Sequence, residues 1–300
     1  MRLLSSLFII AVFLLPLGAL AADETAISLP AVDAATVNIY CTYKSGSRSY
    51  STTGTGIMLG TRGVVLTNAH VVLPLLIENP KNKAACSLRV GSPARKVHEA
   101  SLLYISSEWL EEALPGLRKQ VMRGTGDGDF ALLYVASSTP ETRFLGIDVP
   151  FVPVAPSEGE EVYLAGYPAE GLGYKKTAKN LLYQTDATEI TSFHSFIRPF
   201  VDVLSLAPSP LGRSGVSGGP VVRSSGELVG LMTAVEQSNE DERRLRAITL
   251  SYIDRAITLQ TGLPLVLLVS GDLQARASLT RAALSDDLVE DVARAQLKRR

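Results

Sequence analysis

Short apolar runs separated by glycine, proline and small polar residues recur along the chain between residues 36 and 250, and this recurrence confines it to an all-β architecture. Residues 36–43 (Thr-Val-Asn-Ile-Tyr-Cys-Thr-Tyr) read as one strand. Residues 56–59 and 64–67 flank a Thr61-Arg62-Gly63 turn, a hairpin signal. Further strands are expected near 85–90, 96–105, 130–135, 151–154, 161–165, 183–190, 201–206, 220–222, 228–236 and 247–250. Residues 44–54, a Ser/Gly/Thr stretch, read as a loop. With 24 Gly and 16 Pro to supply turns, this pattern favours a barrel or a sandwich.

Four segments depart from it. Residues 108–122 carry Leu110, Leu114, Leu117 and Val121 amid charges and suggest a helical insertion interrupted by Pro115. Residues 252–260 suggest a short helix ending at Gly262. Residues 263–271 read as a linker or an extra strand. From Asp272 the chain is rich in Ala, Leu and Arg. Ser285-Asp286-Asp287 and Lys298-Arg299-Arg300 suit the two ends of a final helix. The β core therefore spans about 35–262, with a helical tail over 263–300 that is a candidate for oligomerisation or partner docking.

The amino terminus points to export. Met1-Arg2 is a short positive start, residues 3–15 are almost wholly apolar, and Pro16 and Gly18 break the run. Ala19-Leu20-Ala21 then offers a small-x-small cleavage pattern. Residues 1–21 read as a secretory signal, residues 22–34 as a polar extension, and the mature chain as periplasmic or secreted. The alternative, an uncleaved anchor, suffers from a run short for a bilayer core. Export leaves Cys41 and Cys86 in an oxidising setting. They form either a disulfide closing a 45-residue separation, worth ~4 kcal/mol by chain entropy, or two separate buried thiols.

Composition excludes several classes of function. With 29 Lys+Arg against 30 Asp+Glu, the formal net charge of −1 provides no field for nucleic acid or an anionic membrane. Aromatics at 6% argue against stacking platforms for single strands. Two cysteines cannot make a four-cysteine zinc site, and three histidines leave few ways to hold a metal. Neither metal nor cofactor is expected.

The chemistry concentrates in Gly215-Val216-Ser217-Gly218-Gly219-Pro220. A serine among glycines is uncrowded, and the flanking backbone can aim the Gly215 and Ser217 amides at one oxyanion. Upstream, His70 ends an apolar run (Leu66-Thr67-Asn68-Ala69-His70) and Asp129 opens another (Asp129-Phe130-Ala131-Leu132-Leu133). Serine alone is a poor nucleophile. His70 must take its proton, and Asp129 must hold His70 in the tautomer that does so.

In this order the three segments resemble the signatures of trypsin-like serine proteases, closest to the bacterial Do/HtrA-like group. Gly54-Thr55-Gly56, Leu164-Ala165-Gly166-Tyr167-Pro168, Gly226-Glu227-Leu228-Val229-Gly230-Leu231 and Arg246-Ala247-Ile248-Thr249-Leu250 agree in order. The resemblance implies two antiparallel six-stranded β-barrels with His70, Asp129 and Ser217 in the cleft between them. It also implies peptide hydrolysis through an acyl-enzyme, without cofactor, on protein or peptide substrates. Alignment to the family places the primary specificity pocket at Leu211 and at Leu231, Met232 and Thr233. With no Asp or His there, a small or medium apolar P1 residue is expected.

Two departures matter. Val216 stands where the family usually has Asn or Asp, and no Arg-Ile-Val-Gly-Gly-type activation site occurs. Only 300 − 262 = 38 residues follow Gly262, so no PDZ domain is expected. The rival to an active protease is a latent or inactive member of the fold serving as a binding or regulatory module. An α/β-hydrolase needs its histidine after the serine, but His70, His98 and His194 all precede Ser217. A subtilisin order needs an Asp before His70, where only Asp23 and Asp33 stand in the polar lead. Asp127 reads as a loop carboxylate, and His194 as a surface or core residue with some prospect of lining the cleft.

Overall fold

A computed structural model describes residues 29–77, 83–119, 126–137, 141–234 and 245–298. The expected signal segment and most of the polar extension lie outside these residues. Among the described residues twelve strands form two closed antiparallel barrels. The first contains β1 (Thr36–Ser45), β2 (Arg48–Leu59), β3 (Val64–Thr67), β4 (Ala84–Val90), β5 (Arg95–Ile105) and β6 (Ala131–Tyr134), in spatial order β1-β2-β3-β6-β5-β4. The second contains β7 (Glu161–Gly166), β8 (Gln184–His194), β9 (Val203–Leu206), β10 (Pro220–Val222), β11 (Leu228–Ala234) and β12 (Leu245–Thr249), in order β10-β11-β12-β9-β8-β7. Closure removes the free sheet edges that would otherwise invite pairing with other chains.

Two strand expectations are corrected. Residues 44–54 are not a loop: β1 and β2 run on to a tight turn, with Ser45 opposite Arg48 and Gly46 at φ 59°. The Ser and Thr residues fill the polar face of this ribbon, and Tyr43 stacks on Tyr50 at 5.3 Å. Residues 151–154 form no strand. Pro150, Pro153 and Pro156 withhold ladder donors, and Phe151, Val152 and Val154 are exposed.

Among the described residues eight α-helices sit around the barrels: α1 (Pro30–Ala35), α2 (Ala69–Val72), α3 (Ser107–Lys119), α4 (Tyr174–Lys179), α5 (Leu250–Thr261), α6 (Leu265–Leu268), α7 (Leu273–Ala283) and α8 (Asp286–Leu297). Helix α3 continues through Pro115 and buries Trp109, Leu110 and Leu117. Thr249 caps α5 at one end, and Gly262 closes it at φ 72°. The segment 263–271 contains a one-turn helix, α6, rather than a strand; Asp254 Oδ1 accepts its first amide, Leu265 N, at 2.7 Å. Asp272 and Ser285 cap α7 and α8. The apolar face of α8 (Leu288, Val289, Val292) packs into the chain's own core. Ser45 Oγ donates to Leu297 O at 3.2 Å, fastening α8 to the first barrel.

Cys41 and Cys86 are paired in register between β1 and β4 and joined by a disulfide. Both are buried, so the bridge ties two neighbouring staves of the first barrel. Replacing both with serine is expected to lower unfolding free energy by ~2–4 kcal/mol, since the bridge limits the unfolded chain. Urea denaturation of oxidised wild type beside the double variant measures this, and an unchanged midpoint would contradict it.

Candidate active site

The first half of the site is built where β3 ends. All four residues of β3 are buried, which fixes Asn68 and His70 at its exit. Thr67 pairs with Ala131 at the start of β6, so the loop bearing Asp129 arrives beside the turn bearing His70. The Asp129 carboxylate accepts from His70 twice: Oδ1 from the backbone amide at 3.0 Å and Oδ2 from ring Nδ1 at 2.7 Å. Asn68 Nδ2 donates to Asp129 O at 2.7 Å and holds the same loop from behind. An ionised carboxylate only accepts, so the proton belongs on Nδ1 and the basic lone pair on Nε2. The carboxylate is 13% exposed and the imidazole 31%, so the pair lies at a wall open to solvent on one side.

A residue that sequence reading left unassigned supports this loop from the other end of the chain. Tyr252, in α5, accepts from Gly128 N at 2.8 Å through its hydroxyl, which donates in turn to Asp127. Burial, and then the bond to Asp127, hold the phenol well above its ordinary pKa. Its ring packs edge-on against Phe130 and Phe196. Asp127 is thus a loop carboxylate, as expected, and one that anchors the turn leading into Asp129.

The second half is the 215–219 turn ahead of β10. Gly215 has φ 100°, and a Cβ there would lie 2.6 Å from Tyr167 O. Gly218 has φ 84°, and its Cβ would lie 2.2 Å from Thr67 Oγ1 and 2.9 Å from Asn68 N. Only glycine allows this approach, which lays the turn bearing Ser217 on the segment that leads into His70. Ser214 O accepts from Ala169 N at 2.7 Å. Because the peptide is planar and trans, the Gly215 N–H points the opposite way. Neither Gly215 N nor Ser217 N donates to an acceptor among the described residues, which leaves both amides available to a ligand oxygen.

Thr55, on β2, connects the halves. Its Oγ1 donates to Gly215 O at 2.8 Å and accepts from Tyr167 N at 3.0 Å. Its amide donates to Ser217 O at 2.9 Å, and its carbonyl accepts from Thr67 Oγ1 at 2.7 Å. Three of these four bonds of a fully buried residue cross between the barrels, and the fourth ties β2 to the end of β3 that leads into His70. Val216 completes the anchoring differently. It is fully buried in the apolar cluster of the second barrel with Leu211, Val221 and Met232. Hydrophobic burial holds the turn where an acidic residue would need an ionic partner.

The four expected pocket residues divide into two pairs, because successive strand residues face opposite ways. Leu211 and Met232 lie together in the second barrel's cluster, with Leu245 and Ala247 from β12, which the sequence had not singled out. Leu231 and Thr233 face the other way, and Leu231 joins the cluster shared with the first barrel and α5. All four are buried. His194 Nε2 is hydrogen-bonded to Ser205 Oγ at 2.8 Å, and His98 contacts the edge of Phe144; neither joins His70. Among the described residues no group of three or more His, Cys, Asp or Glu could hold a metal, and no helix is long and apolar enough to cross a membrane.

Two six-stranded barrels, with the His–Asp pair on one and a glycine-flanked serine turn on the other, define a trypsin-like peptidase. The family model of the trypsin-like peptidase domain matches residues 54–231, more than half of the sequence, and the chain belongs to that family. Among solved structures, a crystal structure of Deg5 is similar at TM-score 0.50 and 16% identity, covering 78% of this chain and 92% of that one. The MamO protease domain from Magnetospirillum magneticum in its apo form aligns at TM-score 0.47 and 17% identity, covering 75% of this chain and 97% of that one. No curated protein matches the sequence.

The role of Thr55 is testable without touching the reacting groups. Thr55→Val keeps the shape but removes the hydroxyl, leaving Gly215 O and Tyr167 N unsatisfied. A loss of ~1–3 kcal/mol is expected, read as a lowered melting temperature, with Thr55→Ser retaining most of the stability. Equal melting of Thr55→Val and wild type would remove Thr55 from this role.

Proposed function

We propose that this chain is an exported serine endopeptidase that cleaves peptide bonds through an acyl-enzyme. The observation that carries the reading is the doubly bonded His70–Asp129 pair at the exit of β3, on whose Thr67–Asn68 segment Gly218 lays the turn bearing Ser217. Ser217 Oγ attacks the scissile carbonyl carbon while His70 Nε2 takes the hydroxyl proton. The new imidazolium is stabilised and kept in place by Asp129. The amides of Gly215 and Ser217 donate to the oxyanion. Collapse expels the amine, which takes the proton back from His70. Water then attacks the acyl-enzyme by the same route and releases the acid.

The all-apolar cluster of Leu211, Met232, Leu245 and Ala247 supports a small or medium apolar P1 residue, since a charged side chain would find no partner there. The residue pattern of 1–21 and the Cys41–Cys86 bridge support an exported, periplasmic or secreted chain. Contact with a partner or a second copy through the C-terminal helices would use the side of α7 that carries exposed Leu279, because the apolar face of α8 is occupied within the chain.

The mature protein, residues 22–300, is expected to react with a fluorophosphonate probe and to hydrolyse peptides. Ser217→Ala should abolish labelling and lower kcat by ~10⁴–10⁶, and Asp129→Asn by ~10⁴, with folding retained. Absence of labelling in the wild type would favour the latent, binding role. Best cleavage after Arg or Glu across a fluorogenic peptide library would overturn the apolar P1 assignment.

A further inference from the structure

The cleft-side face of the second barrel carries one polar row. Cross-strand partners project to the same side of a sheet, and the register aligns Thr233 on β11 with Arg246 on β12, Arg246 with Ser205 on β9, and Ser205 with Ser192 on β8. The face is identified by its other residues: Leu231, Ile248 and Val203 join the cluster that contains α5 and the first barrel. It also looks toward the reacting groups. A Cβ on Gly126 would lie 3.1 Å from Ile248 Cγ2 and 3.5 Å from Thr233 Cγ2, and Gly126 O accepts the amide of Asp129.

Within this row Ser205 Oγ is bonded to His194. Arg246 has no such partner among the described residues. Its Nε is buried without an acceptor, and the guanidinium makes no ion pair among the described residues. Other arginines held in the structure are provided for. Arg89 donates to Asn38 Oδ1 and to the carbonyls of Thr177 and Ala178, Arg255 pairs with buried Asp202, and Arg223 pairs with Glu160. A partly desolvated guanidinium without an acceptor is unfavourable unless something brings one. Its planar fork of donors matches a carboxylate better than any other common group.

We propose that Arg246 is a specificity-determining residue that binds an acidic side chain of the peptide substrate, an inference that rests on the proteolytic reading above. A peptide with its scissile carbonyl at Ser217 that runs on over the cleft face of β11 passes within one strand spacing, about 4.8 Å, of the β12 row. An Asp or Glu a few residues from the scissile bond would then meet the accessible end of this half-buried guanidinium and supply the counter-charge it lacks among the described residues. The apolar cluster of Leu211 and Met232 lies on the opposite face of β11, so this contact is separate from the one that selects P1.

The test profiles wild type, Arg246→Met and Arg246→Glu, each as the mature chain, against a proteome-derived peptide library. Matched peptide pairs differing by Asp against Asn at the selected position follow. The wild type is expected to enrich Asp and Glu at one fixed position away from P1 and to cleave the Asp peptide 10–100-fold better in kcat/KM. Arg246→Met should bring that ratio to about one, and Arg246→Glu should invert the preference toward Lys or Arg. The ratio within each variant cancels differences in stability, and an inversion cannot arise from partial unfolding. A wild type that cleaves without acidic preference, or a preference that survives in Arg246→Met, overturns this proposal and leaves the protease standing. Failure of the wild type to cleave any peptide removes both.

Discussion

The site depends on the junction between the barrels, and that junction is concentrated in Thr55. Its side chain and backbone bond to Gly215, Ser217, Tyr167 and Thr67, at no distance greater than 3.0 Å. Each bond lies in a dry interior where an unmet polar group is costly, so the partners are held in one arrangement. Shifting the barrels by even an ångström would break several of these bonds at once. His70 and Asp129 belong to the first barrel and Ser217 to the second, so their mutual geometry is only as good as this contact.

Other buried polar groups hold more distant parts of the frame. Arg89, inside the first barrel's wall, donates to the carbonyls at the end of α4 and lies over the Tyr40 ring at 4.3 Å. It thereby ties the segment between β7 and β8 to the first barrel. Asp202 is fully buried; it accepts from Arg255 and from the amides of Phe196 and Ile197 and so shapes the β8–β9 turn. Helix α5 supplies both Arg255 and Tyr252, which makes it a shared support for the second barrel and for the Asp129 loop. The helix that closes the fold core therefore also positions a carboxylate of the site more than a hundred residues earlier.

Much of this was legible in the residues. The strand runs, the helix capped by Thr249 and closed by Gly262, and the Ser285 start of α8 follow local rules of alternation and capping. His70, Asp129 and Ser217 stood out because their chemistry has few alternatives. The β1–β2 ribbon was misread as a loop because its Ser and Thr residues are polar, and only the stacking and pairing across it show why they sit in strands. Residues 151–154 misled in the other direction: apolar residues suggested a strand, but flanking prolines deprive it of donors. Tyr252 and Leu245 carried no local signal, since each acts across more than ten residues of sequence or between neighbouring strands.

The sequence by itself determined the class of fold and, for the proposed reaction, singled out His70, Asp129 and Ser217 and their order along the chain, because strand periodicity and the demands of nucleophilic chemistry are local properties. The tertiary structure alone decided that Thr55 bolts the barrels together, that Val216 is held by burial, and that Met232 rather than Leu231 faces the interior of the second barrel. It alone left Arg246 Nε without an acceptor among the described residues. These depend on strand register and on which surfaces meet. Register and packing are set by contacts between residues far apart in the chain, which no local pattern encodes.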